Sequence, residues 1–292
     1  MQPLTTRKGT LAWGERTYVM GILNITPDSF SGDGLLTGQE TLQAALAQAG
    51  AFISAGAEIL DIGGESTRPG SQPVSTEQEL ERVIPVVAAL AAGFPKTLIS
   101  IDTYKAAVAD QALQAGADMV NDVWGLRADP ELASIVARHA APVILMHNRS
   151  KPANAQVQER LGGRYTGMEY EDLLADVKIE LSESVALARA AGIPDGRILL
   201  DPGIGFGKTV EQNLELVDRL DEIRSLGFPV LLGPSRKSFI GYTLDLPADQ
   251  RLEGTAAAVA VGIVRGADIV RVHDVAAMTR VTRMTDAIVR RK

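Results

Sequence analysis

The sequence has no cysteine, so disulfides and thiolate metal sites are excluded. Aromatics are scarce at 4% while hydrophobic residues reach 46%, which points to a core of Val, Ile, Leu and Ala. No apolar run is long enough to span a bilayer. The opening MQPLTTRKGTLAWGERTY lacks the apolar stretch of a signal peptide, so a cytoplasmic, membrane-free protein is expected. Basic charge is not in excess: the formal net charge is −7, which argues against nucleic acid as a partner. His-x-Glu and Glu-x-x-His motifs, a His/Cys cluster and an evident Ser/His/Asp triad are all missing. Asp201-Pro-Gly-Ile-Gly-Phe-Gly-Lys208-Thr209 is close to a P-loop but fails, because Pro202 stands where the pattern requires glycine.

What is present is a set of short apolar runs, each ending in polar residues just before a helix-like segment. The expected strands are about 18–24, 58–62, 97–102, 118–122, 142–147, 197–201, 229–233 and 268–273. A strand buried on both faces is continuously apolar, so a carboxylate or histidine at its tip needs a reason. Eight such tips favour a closed parallel barrel whose tips converge on one mouth. An open doubly wound sheet is the rival, but it gathers its ligand groups at one switch point. The expected fold is therefore an α/β (β/α)8 TIM barrel over residues 1–292, core about 18–290, with no linker or second domain.

Punctuation along the chain agrees. Ala55-Gly56-Ala57-Glu58, Ala115-Gly116-Ala117-Asp118 and Arg265-Gly266-Ala267-Asp268 each close a helical stretch with glycine and lead into an apolar run. Thr37–Glu40, Ser75–Gln78 and Thr209–Gln212 read as capping boxes, and Asp129-Pro130 as an N-cap followed by proline. Residues 10–18 suggest a short N-terminal strand pair plugging the far end of the barrel. Residues 148–167 read as a loop-like insert.

At the tips, Asp102, Asn121 and Asp201 offer carboxylates and an amide, which suit the edge of a planar nitrogen heterocycle or a hard cation. Helix or turn capping is the competing role for either aspartate. Arg271 and His273 alternate onto one side and combine a guanidinium fork with an imidazole, which suits an anion. Arg68, Lys208, Arg236 and Lys237 are further cations near the tips. His147 is as compatible with a structural role as with a functional one, and His139 is expected on a helix surface. Any metal is expected to be a weakly held Mg²⁺ bridging ligand phosphates, with Asn24 and a loop aspartate as protein ligands.

GILNITPDSFS, DIGGESTRPGS, SIDT, NDV, DPGIGFGKT, GPSRKSFIG, EGTAAA and RVHDV stand in order from about Val19 to Val275. In this ordered set the chain resembles the dihydropteroate synthases, pterin-binding TIM barrels of folate biosynthesis and targets of sulfonamides. The resemblance implies a transferase that makes dihydropteroate and pyrophosphate from 6-hydroxymethyl-7,8-dihydropterin diphosphate and p-aminobenzoate, with Mg²⁺ and as a homodimer. It assigns the pterin to Asp102, Asn121, Met146, Asp201, Lys237 and Arg271, with Val123 packing on the ring. Phe206 falls to the pterin and to the p-aminobenzoate pocket alike. Phe30, Thr67, Arg68, Pro69 and Ser235 are assigned to p-aminobenzoate. Asn24, Arg68, Arg271 and His273 are assigned to the diphosphate, and Asn24 to Mg²⁺. Asp102, Asp201, Lys237, Arg271 and His273 are the implied catalytic set.

Two departures stand out. The family's first loop usually reads SFSDGG, and here Ser29-Phe30-Ser31-Gly32-Asp33-Gly34 shifts the aspartate by one. The family's MHMRG after strand five is Met146-His147-Asn148-Arg149-Ser150. The rival is the methyltetrahydrofolate-binding barrel of a corrinoid methyltransferase, which has no diphosphate to hold. The cations of Thr67-Arg68-Pro69, Ser235-Arg236-Lys237 and Arg271-Val-His273 favour the synthase.

Overall fold

The computed structural model describes residues 1–26, 38–66, 71–166 and 169–290. Two short antiparallel strands, β1 (Leu4–Thr6) and β2 (Gly9–Leu11), open the chain. The parallel strands follow as β3 (Tyr18–Asn24), β4 (Ile59–Gly63), β5 (Leu98–Asp102), β6 (Met119–Asp122) and β7 (Val143–Met146). An antiparallel hairpin, β8 (Ala155–Gln158) and β9 (Gly162–Tyr165), intervenes before β10 (Ile198–Asp201), β11 (Leu231–Leu232) and β12 (Ile269–Val272). The eight parallel strands order as β10-β7-β6-β5-β4-β3-β12-β11, and a parallel bridge from Leu200 to Val230 closes the ends. The structure is thus the expected TIM barrel.

The helices lie between the strands. They are α1 (Gly38–Ser54), α2 (Thr76–Gly93), α3 (Ala106–Ala115), α4 (Leu132–Arg138) and α5 (Leu173–Ala190), then α6 (Val210–Asp218), α7 (Leu220–Arg224), α8 (Ser238–Leu244), α9 (Leu252–Val264) and α10 (Val275–Val289). Ser75 and Thr209 make their capping boxes with Gln78 and Gln212. Gly56, Gly116 and Gly266 have φ of 104°, 118° and 99°, so each turns the chain from helix to strand in a region that favours glycine. Thr37 lies outside the described residues.

Three expectations need correction and a fourth needs extending. The N-terminal pair spans 4–11 rather than 10–18, because the chain reverses at Arg7-Lys8 and continues through Gly9, whose φ is 148°. It does plug the barrel: Leu4 and Leu11 pack on Tyr18, Met20, Ile59, Leu98, Met119, Ile144, Leu199, Leu231 and Ile269. The insert is not a plain loop but carries β8–β9, seated by Arg251 donating to Leu161 O at 3.0 Å and Tyr242 to Gly162 O at 3.3 Å. Asp129 does more than the expected local cap: its Oδ1 accepts from Glu131 N at 3.0 Å in the turn leading into α4 at Leu132, while its Oδ2 accepts from Ala106 N at 2.8 Å and caps α3 across a tertiary contact. His139 is partly buried against Asp110, 2.6 Å away, rather than simply exposed.

The far end is fastened by acids at strand starts. Glu58 accepts from Val19 N at 2.9 Å, Asp118 from Ile99 N at 2.9 Å and Asp268 from Val230 N at 3.1 Å. Each also meets a cation: Arg16, Arg7 with Lys8, and Arg224 respectively. An acid so placed ties two neighbouring strands at their start. Asp118→Ala would leave the Ile99 N–H without its acceptor and the mostly buried Lys8 ammonium without its carboxylate, with Thr97 O still accepting from it. We expect a loss of roughly 3–5 kcal/mol, the range for breaking a buried pair, with substrate affinities unchanged in the folded protein. Urea unfolding reads the stability, and a loss below about 1 kcal/mol contradicts the assignment.

Candidate active site

Strand alternation builds the site in layers. One inward layer is apolar: Met20, Ile59, Leu98, Met119, Ile144, Leu199, Leu231 and Ile269, all buried. Two residues further along each strand stand Ile22, Asp61, Ser100, Asn121, Met146, Asp201, Gly233 and Arg271. The period that seals the floor therefore turns polar one step higher. Met146 and Val123 are buried there and belong to neither hydrophobic cluster.

Arg271 lies across this layer. Its Nε donates to Asp61 Oδ2 at 2.5 Å and its Nη2 to Asp102 Oδ2 at 2.6 Å. Asn121 Nδ2 donates to the same Asp61 oxygen at 3.0 Å. Asp61 is fully buried, and among the described residues its Oδ1 and the neighbouring Ser100 Oγ meet no hydrogen-bond partner. Opposite, Asp201 accepts from Gly203 N at 2.7 Å. Lys237 donates to Ile204 O, and its Nζ is 4.7 Å from the centre of the Phe206 ring. Ser235 Oγ accepts from His273 N at 3.1 Å and sits 3.1 Å from His273 Nδ1.

Burial governs the charges. It raises Asp102 to about 7; Arg271 opposes the rise, while Asp61 adds to it. It raises Asp201 too, against Lys237. It lowers Lys237 to about 8, against the attraction of Asp201. Burial also works against the Arg271 cation, but Asp61 and Asp102 outweigh it and hold the guanidinium above its usual range. Three carboxylates thus face two cations, leaving one excess negative charge when all are ionised. Such a pocket favours a planar ligand with N–H donors and a cation developing on it.

Asn24 ends β3 at the mouth, partly exposed. A Cβ on Gly63 would lie 3.7 Å from Asn24 Oδ1 and 3.6 Å from Asp102 Oδ2, so Gly63 sits beside both side chains, Asp102 Oδ2 being already engaged by Arg271. Among the described residues no group of three or more His, Asp or Glu could hold a metal. Phe30, Thr67, Arg68 and Pro69 lie outside the described residues. Two expected mouth cations are spoken for. Arg236 Nε donates to Asp274 at 2.8 Å, and Lys208 is buried with its ammonium turned toward backbone. His147 is buried, and Glu180 Oε2 lies 3.1 Å from its Nε2.

The model of the family described as pterin binding enzyme matches residues 20–273. The chain belongs to this family. Dihydropteroate synthase of Clostridium beijerinckii is 48% identical over 279 residues, covering 95% of this chain and 96% of its own. The structure of the Yersinia pestis dihydropteroate synthase with a sulfonamide drug superposes with a TM-score of 0.88 at 41% identity, covering 98% of this chain and 99% of that one. The Xanthomonas albilineans synthase with 4-aminobenzoic acid gives a TM-score of 0.84 at 42% identity, covering 96% and 94%. Within this family of pterin-binding enzymes the likeness is thus to the synthases.

Asp61 was missed by reading only the last residue of each apolar run. The signal was there: a carboxylate inside Ile59-Leu60-Asp61-Ile62, on the face of Ile59. Asp61→Asn should lower the pKa of Asp102, since one raising charge is gone. If Asp61 also serves the ligand, pterin binding should weaken by roughly 1.5–3 kcal/mol, the loss of a charge-assisted hydrogen bond. Carboxyl NMR titration and calorimetry measure the two effects. An unmoved Asp102 would show that Arg271 screens the pair completely.

Proposed function

We propose that the mouth of this barrel condenses 6-hydroxymethyl-7,8-dihydropterin diphosphate with p-aminobenzoate to 7,8-dihydropteroate and pyrophosphate. The chain is a dihydropteroate synthase, a transferase of folate biosynthesis. The observation that carries the site reading is the polar layer above the apolar floor, where Asp61, Asn121, Asp201, Lys237 and Arg271 converge as donors and acceptors suited to a heterocycle. Asp201 and Asn121 would hold the amino-pyrimidine edge, with Met146, Val123 and Phe206 against the ring faces. Lys237 would donate to a ring acceptor.

Cleavage of the exocyclic C–O bond comes first in this reading, because ring nitrogen lone pairs stabilise the cationic methylene. Asp102 and Asp201, in a pocket of excess negative charge, favour that cation. The aniline nitrogen then forms the C–N bond, and its proton passes to the released pyrophosphate or solvent. Aromatic amines are neutral near pH 7, so the step needs no strong base. Arg271, His273, Asn24 and Arg68 would hold the diphosphate, and Phe30, Thr67, Pro69 and Ser235 the p-aminobenzoate. The amide oxygen of Asn24, a partly exposed residue, suits a hard cation held mainly by ligand phosphates. Bound there, Mg²⁺ would neutralise charge on the leaving group. Incubation with both substrates should give dihydropteroate by mass detection, and EDTA should abolish it. No product with Mg²⁺ present would overturn the reading.

A homodimer is proposed through α9 and α10, which pack side by side. Val261 and Val264 on α9 are 43% and 59% exposed, in line with Ala257; Met284 and Ile288 on α10 are 64% and 52% exposed, in line with Val281. An exposed apolar band of two helices is a usual association surface. Sedimentation should show a dimer, and Val264→Asp with Met284→Asp a monomer. Unaltered mass in the double variant would move the interface elsewhere. Among the described residues no helix is long and apolar enough to cross a membrane. We place the enzyme in the cytoplasm with its soluble, charged substrates, which cell fractionation would test.

A further inference from the structure

Lys208 closes the glycine turn after β10 and is 1% exposed. Its Nζ is 2.9 Å from His147 Nδ1, 3.0 Å from Gly203 O and 3.0 Å from Phe206 O. These acceptors lie on the exit of β7 and at two points of the turn itself. We propose that Lys208 is a positioning residue for the pterin pocket, its ammonium clamping the turn that follows Asp201 and receives Lys237. The inference rests on the pterin reading of the site given above.

The turn is packed so tightly that its position fixes the pocket. A Cβ on Gly203 would stand 1.8 Å from His147 O, and one on Gly207 2.5 Å from the Arg149 carbonyl carbon. Gly203 N holds Asp201, and Ile204 O receives Lys237. The far end is held by Tyr170 OH donating to Gly207 O at 2.9 Å and by Gly205 N donating to Asn213 at 2.6 Å. Shifting Gly203 or Phe206 therefore shifts the partners of both pocket groups.

Three acceptors suit the charged form alone. An ammonium has three N–H donors and no lone pair, whereas a neutral amine has two donors and one lone pair. Burial, and then the Lys208 charge, keep His147 neutral by lowering its pKa to about 3. Its Nδ1 thus accepts from Lys208 while Nε2–H faces Glu180. On loss of a Lys208 proton, one leg of the clamp breaks. His147 could restore it only by moving its proton to Nδ1, which would leave a bare nitrogen against the Glu180 carboxylate.

That loss falls within an accessible range. Burial lowers Lys208 to about 7, with Asp201 on β10 and Glu180 on α5 opposing, and with Lys237 ahead of α8 and Arg149 after β7 reinforcing. His147 on the β7 exit is the remaining titratable neighbour in contact. Lys237 and Asp102 titrate in a similar window, so affinity alone does not isolate Lys208. The His147 ring does, being in contact with Lys208 and remote in charge state from its own transition.

The test uses 6-hydroxymethylpterin, which lacks the diphosphate and does not react. Its affinity is measured by calorimetry between about pH 6 and 9 for the intact protein and for Lys208→Met. The ring nitrogens of His147, one of three histidines, are followed by NMR in the intact protein over the same range. Affinity of the intact protein should fall in a step that coincides with a change at His147 Nδ1. Lys208→Met should bind about tenfold more weakly at the acid end and lose that step. If Lys208→Met does not fold, the coincidence in the intact protein decides. Wild-type affinity in Lys208→Met, or a His147 change at a different pH from the affinity step, overturns the inference. An intact protein that binds no pterin at any pH overturns the pterin reading itself, and the inference with it.

Discussion

The pocket depends on one guanidinium held between two carboxylates. Arg271 rises from β12, reaches past β3, and meets Asp61 on β4 and Asp102 on β5. Burying any one of these charges alone would be costly, and pairing makes the set tolerable. The planar fork matters, because two different N–H groups address two strands at once. A lysine in that place would present a single point charge. The arrangement also leaves Asp102 near the edge of ionisation rather than locked as a carboxylate, since burial and Asp61 push against Arg271. A group so balanced responds to a charge appearing beside it.

Much of this was legible in the sequence, and the reasons differ by element. The eight strands were readable because burial on both faces forces continuous apolar runs, and the shortest, β11, is still flagged by Val230-Leu231-Leu232. Helix ends were readable where the cap is local, as at Ser75 and Thr209. They were legible only in part where the cap is also tertiary: Asp129 caps its own turn at Glu131 and with its other oxygen serves Ala106, in another helix. The hairpin β8–β9 carries few apolar residues, and its support comes from Arg251 and Tyr242 far along the chain. Of the polar tips, Asp102, Asn121, Asp201, Lys237 and Arg271 do converge. Lys208 does not join them, because spacing fixes where a side chain begins and not which way a long one folds back.

The two ends of the barrel treat acids in opposite ways. At the far end Glu58, Asp118 and Asp268 each have a backbone N–H and a cation, so their charges are matched and their strands tied. At the mouth Asp61 keeps one oxygen without a donor among the described residues, beside a Ser100 hydroxyl equally unpartnered there. A buried polar atom left so costs free energy on folding. Saturated ties at one end and dense apolar packing below make that cost bearable at the other. The division also follows from barrel geometry, since a right-handed βαβ crossover brings every strand's carboxyl end to one face. Polar groups one step above the apolar floor then meet across the axis whatever their distance in sequence, and that is why residues as far apart as Asp61 and Arg271 form a single pocket.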